Sequence, residues 1–143
     1  MPDIAYDFPV HAPAREVFAR FATPAGLDAW WTLRASGVAS LGEPWQLDFG
    51  PGFDWRARVT ACEPPTRFEF TLTASMDDWL GTRVLVALEE RDGVTMVHFR
   101  HAGWAAESDH FRVSAFCWAM YLRHMRRHAE SGIVVPYAER LDA

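Results

Sequence analysis

The 143-residue sequence is half hydrophobic and 14% aromatic, enough for one domain with a substantial core. Its formal net charge of −5 argues against nucleic acid as a partner, and no run approaches the ~20 apolar residues of a membrane helix. Cys62 and Cys117 make no disulfide framework and the opening MPDIAYDFPV has no signal-peptide pattern, so the expected setting is cytoplasmic.

Ile4, Tyr6, Phe8 and Val10 alternate with other residues, the period of a strand buried on one face. In HAPAREVFARFA, Pro13 suits a helix's first turn, and Val17, Phe18 and Phe21 recur at helical spacing. TPAGLDAWW (23–31) repeats that logic, with Thr23 as cap and Pro24 opening a second short helix.

A long β region follows. Trp45, Leu47 and Phe49 alternate before GPG; then Trp55, Ala57, Val59 and Ala61 alternate with Arg56, Arg58, Thr60 and Cys62, which puts Cys62 on the wet face. EPPT makes a turn, Phe68, Phe70 and Leu72 form the next strand, and Val84, Val86 and Leu88 another. The last strand sets Thr95, Val97, Phe99 and His101 on one side and Met96, His98 and Arg100 on the other. The pattern predicts an antiparallel meander with one solvated face, His101 pointing inward and His98 outward.

From Ser108, a good cap, to Ser131, just before the terminator Gly132, the period becomes helical. Phe111, Ala115, Trp118, Leu122, Met125 and Ala129 make one stripe, while Val113, Phe116 and Met120 lie opposite. A helix apolar on both sides is usually covered on both. That face and the apolar tail IVVPYAERL point to a homodimer. The basic run RHMRRH (123–128) reads as a solvated helix end, and no interdomain linker divides residues 1–143.

Strand, two short helices, meander and long final helix is the order of a helix-grip domain, an α+β fold whose curved antiparallel sheet wraps a C-terminal helix. The segments APAREVFARFATPAGLDAWW, FGPG, RVTACEPPTRFEFT and WLGTRVLVALEERDGVTMVHFRHAGW resemble the START-like polyketide cyclase/aromatase superfamily. Within it they are most similar to the branch named after the activator of heat-shock protein 90 ATPase, with AWW, the EPP turn and H-x-G after the last strand as the most specific pieces. The resemblance implies a cavity between sheet and helix, but members range from carriers to enzymes, so it assigns no reaction. The branch's co-chaperone carries an additional chaperone-binding domain for which these 143 residues have no room, and its role is not carried over.

On that fold, Trp31, Phe49, Trp55, Trp79, Phe99, His101, Trp104, Phe111, Trp118 and Tyr121 are the candidate ligand-binding residues. The alternative is that these rings interlock and leave no void. His101 reads as a strand-end residue holding the next loop, as a polar tag orienting a ligand, or as an acid/base with Asp109, His110 or Tyr121 within reach. His98 and His101 face opposite ways, while His124 and His128, one helical turn apart, lack a third ligand at telling spacing; no metal and no cofactor are expected. Asp77 and Asp78 read as a solvated turn, Cys117 as a small buried hydrophobe. No G-x-S-x-G elbow or phosphate loop is present. Three functions follow: binding of a small apolar or aromatic molecule, a cyclase/aromatase- or hydrolase-like enzyme using His101, or a stress-related or chaperone-associated interaction module.

Overall fold

The computed structural model describes residues 1–142. The elements run β1 (Ile4–Val10), α1 (Ala14–Ala22), α2 (Pro24–Asp28), β2 (Arg34–Ser36), β3 (Pro44–Asp48), β4 (Asp54–Glu63), β5 (Arg67–Ala74), β6 (Arg83–Arg91), β7 (Val94–Ala102) and α3 (Asp109–Ser131), followed by a 3-10 turn at Tyr137–Glu139. The strands form one antiparallel seven-stranded sheet in the order β1-β7-β6-β5-β4-β3-β2. Strands two to seven are a meander, and β1 returns to pair with β7. This is the expected α+β helix-grip arrangement.

Local chemistry accounts for the helix ends. Pro13 sits one position before α1, in extended conformation, where its missing N–H costs no helical bond. The Thr23 side chain accepts the Gly26 N–H at the start of α2, and the Ser108 side chain accepts the Phe111 N–H at the start of α3. Gly132 closes α3 in the left-handed region with φ +73°, where any residue with a Cβ is strained. The second helix stops at Asp28, so Trp30 and Trp31 leave it as a turn and drop into the core.

Sheet and helix bury one continuous apolar layer. Phe68, Phe70, Val86, Val97 and Phe99 from the sheet meet Trp118, Leu122 and Met125 from α3, with Phe18 and Phe21 of α1 covering the side. Burying a side chain of this size contributes about 1.5–3 kcal/mol, so this layer is the main stabilising term.

Two features depart from the sequence reading. The three-residue edge strand β2 has a single buried side chain, Ala35, too little for an alternation to register. Cys62 does not face water. Ala61 pairs with Glu69 but Val59 with Phe70, so Thr60 is an extra residue, a bulge that reverses the alternation beyond it. Cys62 therefore pairs with the inward Phe68 and directs its thiol to the Ala39 carbonyl at 3.3 Å.

Candidate functional site

At the end of β7, His101 is wholly buried. Gly103, at φ +87°, turns the chain sharply after it and brings Trp104 back over the imidazole at 4.8 Å between centroids. The Trp79 ring stands 4.4 Å away on another side. Trp118 Nε1–H donates to His101 Nδ1 at 3.1 Å, so Nδ1 is the accepting nitrogen. Nε2 must then carry the proton and donate to Thr82 Oγ1 at 2.8 Å, while the Thr82 hydroxyl donates to the Trp79 carbonyl at 2.5 Å. The chain of donors and acceptors is closed, and it fixes the tautomer. Burial, with a smaller effect of nearby His110, lowers the His101 pKa from its usual range to about 3. His101 is a neutral strut tying α3, β7 and the loop after β5 together.

The space for a ligand lies elsewhere. Between sheet and helix, the void bounded by Phe21, Trp30, Phe70, Val86, Phe99 and Trp118 is about 10 Å³, no more than one water-sized sphere. A cleft of about 160 Å³ opens instead at the N-terminal half of α3. One wall is aromatic: Trp31 meets Phe49 at 5.1 Å, Phe49 meets Trp55 at 5.0 Å, and Trp55 meets Trp79 at 4.8 Å, each pair tilted by more than 50°. These rings come from the turn after α2, the loop after β3, β4 and the loop after β5. The other wall is a stripe of α3 with His110, Ser114, Cys117 and Tyr121, spaced by four, three and four residues so that they share a face.

Of the ten candidate residues, Trp31, Phe49, Trp55, Trp79, Trp118 and Tyr121 come together around this cleft. Phe99 lies behind Trp118, with ring centroids 4.7 Å apart. Trp104 is buried beside His101, and Phe111 packs edge-on against Trp104 at 5.2 Å. His101, Phe99 and Trp104 form the sealed layer behind the cleft, with half-buried Phe111 packed against Trp104. Sequence reasoning missed His110, Val113, Ser114 and Cys117 as cleft residues. Counting back from Tyr121 by helical turns would have found His110, Ser114 and Cys117.

The polar groups of the cleft are few. Ser114 Oγ accepts the Trp79 indole N–H at 3.2 Å, which fixes that ring. Burial raises the Cys117 thiol pKa and pushes the Tyr121 hydroxyl up to about 12, so both stay protonated at neutral pH. His110 Nδ1 lies 3.3 Å from the Asp78 carboxylate, and Ser108 Oγ lies 3.4 Å from the same oxygen. Asp78 is thus a helix-facing partner, although it keeps about two-fifths of its side-chain exposure.

The tail braces the aromatic wall. Tyr137 donates its hydroxyl to the Phe49 carbonyl at 3.0 Å. Buried Arg140 donates to the carbonyls of Asp28 at 2.7 Å, Thr32 at 3.3 Å and Val135 at 3.0 Å. Its own carbonyl accepts from His124 Nε2 at 2.6 Å. His124 is therefore engaged by the tail, and His128 Nδ1 accepts from Arg20 Nε at 3.3 Å. The tail is held to its own domain through Tyr137 and Arg140, while Ile133, Val134 and Leu141 stay exposed. Among the described residues no helix is long and apolar enough to cross a membrane.

Comparison with known proteins agrees with this architecture. A solution structure of the Aha1 dimer from Colwellia psychrerythraea superposes with a TM-score of 0.83 at 25% identity, covering 92% of this chain and 98% of that one. A crystal structure of a Staphylococcus saprophyticus protein matches with a TM-score of 0.79 at 18% identity, over 94% of this chain and 96% of the other. CalU16 from Micromonospora echinospora matches in its solution structure with a TM-score of 0.76 at 21% identity, over 96% of this chain and 71% of its own. The latter two share the fold alone. No curated protein sequence matches the chain significantly. The family model of activator of Hsp90 ATPase homolog 1-like proteins matches residues 11–130, and the chain belongs to that family.

Proposed function

We propose that the domain binds a small, flat, apolar or aromatic molecule in the cleft between α3 and the Trp31–Phe49–Trp55–Trp79 wall. One observation carries the reading: the interior is filled to about 10 Å³, while about 160 Å³ stays open where four large rings face a helix stripe. Unused aromatic surface beside open space is what a small-molecule site presents. The volume is below the ~300 Å³ at which drug-sized pockets begin, which favours one or two fused rings. Proton transfer at His101 is disfavoured, since both ring nitrogens are engaged and the ring is sealed.

Cys117 supplies the test. In a Cys62→Ala chain, alkylation of Cys117 by N-ethylmaleimide is expected to slow saturably as a one- or two-ring aromatic compound is added. An unchanged alkylation rate across a panel of such compounds would remove the proposal.

A second reading, self-association, is favoured by the side of α3 facing away from the core. Val113 is 58% and Phe116 67% exposed there, beside half-buried Met120. The Colwellia relative is a dimer, which supports this reading for the present chain. Light scattering of the parent chain and of Phe116→Glu checks it: the account expects a dimer that the substitution dissociates. A monomer at high concentration would contradict it.

A further inference from the structure

We propose that the cleft selects aromatic molecules bearing a hydroxyl group, with His110, held by Asp78, accepting the hydrogen bond from that hydroxyl. The inference rests on the cleft-binding reading above and assigns its polar end.

Asp78, with acceptor oxygens alone once ionised, lies 3.3 Å from His110 Nδ1. The proton of that bond must come from the imidazole, so in the neutral ring Nδ1 carries the hydrogen and Nε2 carries the lone pair. The Ser108 hydroxyl that caps α3 adds a second, longer contact at 3.4 Å to the same carboxylate oxygen. The ring has little freedom to turn away. It lies nearly parallel to Trp79, with centroids 6.3 Å apart and planes 28° apart, and meets Trp104 edge-on at 5.8 Å.

His110 lines the cleft, and among the described residues its Nε2 has no hydrogen-bond partner. It is therefore an oriented acceptor at the rim of an apolar slot. The remaining stripe offers weaker acceptors. Ser114 Oγ already accepts from Trp79, and the Cys117 thiol and Tyr121 hydroxyl remain protonated, with less accepting power than an imidazole nitrogen. A ring held against Trp55 and Trp79 with a hydroxyl toward the start of α3 satisfies the free acceptor, whereas an ether or a bare hydrocarbon leaves it unpartnered.

The two histidines are mirror cases. His101 carries its proton on Nε2 and has both nitrogens closed by protein groups. His110 carries it on Nδ1 and keeps Nε2 open. Nitrogen-15 NMR distinguishes the two neutral tautomers directly. Protonation of His110 on Nε2 in the neutral ring would overturn the proposal.

The binding test uses a matched pair, 2-naphthol and 2-methoxynaphthalene, titrated by calorimetry. Both carry the same rings and an oxygen, but only the first has a donor. The parent chain is expected to prefer 2-naphthol by about tenfold, the scale of one hydrogen bond in a partly dry site. In His110→Phe the preference falls to near unity while the affinity for 2-methoxynaphthalene holds within about twofold, since the aromatic stack is retained. Asp78→Asn lowers the preference in part. Equal affinities in the parent chain, or a preference that survives His110→Phe, would overturn the assignment of His110 and leave cleft binding standing. Binding of neither compound would overturn both.

Discussion

Two aromatic clusters share Trp79 and Trp118 yet end in opposite states. Around His101, every ring nitrogen of the imidazole is spoken for and the Trp104 and Trp79 rings close over it. A few ångströms outward, Trp55, Phe49 and Tyr121 remain half-buried around open space. The difference lies in what α3 offers each. Toward the core it presents Trp118, Leu122 and Met125, which fill the volume; toward the cleft it presents Ser114, which meets only the Trp79 N–H, and Cys117, short side chains that leave the space before Phe49 and Trp55 open. Aromatic content alone does not make a site. Small side chains opposite large rings do.

The comparison breaks first if Trp118 is not the shared wall. Trp118→Ala removes a buried ring and the donor to His101 together, and is expected to cost about 4 kcal/mol, lowering Tm by roughly 10 °C or more. Thermal unfolding within a few degrees of the parent would show that the two clusters do not depend on it.

The sealed character of His101 has its own signature in pH. The unfolded chain takes up this proton near 6.5, whereas the folded protein does so only near 3. Between those values the unfolded state binds more protons, so stability falls as pH drops from 6.5 toward 3 and is unaffected above that range. The slope from this one group is about 1.4 kcal/mol per pH unit. Urea unfolding from pH 7 to 4 should show a shallower decline in His101→Gln than in the parent. Parallel curves would mean that the imidazole reaches solvent.

The cleft predicts the reverse balance of effects. Trp55→Ala, at a half-buried ring, should cost only about 1–2 kcal/mol but weaken aromatic ligands by about tenfold or more. A large stability loss with binding retained would move Trp55 to the sealed side. Smallest of all, Phe116→Ser on the exposed face of α3 should change the stability of the fold by less than about 0.5 kcal/mol, read by urea unfolding of dilute protein.

Much of this architecture was legible because it follows local periods. The alternation in β7 put His101 inward and His98 outward, and His98 indeed meets Asp7 at 2.8 Å on the solvent side. Ser108 and Gly132 marked both ends of α3. What was not legible depends on non-local geometry. A single extra residue at Thr60 reversed the face of Cys62, and nothing in the local pattern signals a bulge. The partners of His101 come from a loop at Thr82 and a helix at Trp118, distant in sequence and joined only by the fold. Asp77 and Asp78 do lie in an exposed turn, as read, but the link of Asp78 to His110 joins the β5–β6 loop to α3 and has no local signal. The rings of the site were nominated by type, but which stand at the cleft and which behind it depended on the short residues of α3.

The central claim is that a ligand enters the cleft and leaves the packed core on the far side untouched. The most direct measurement is the set of tryptophan indole N–H signals in a nitrogen-15 NMR titration with 2-naphthol. The account predicts saturable shifts for Trp55 and Trp79, and little change for Trp30 and Trp45, whose N–H groups are held by the Arg20 and Val38 carbonyls away from the cleft. Saturable shifts at Trp30 or Trp45 with Trp55 unmoved would contradict it.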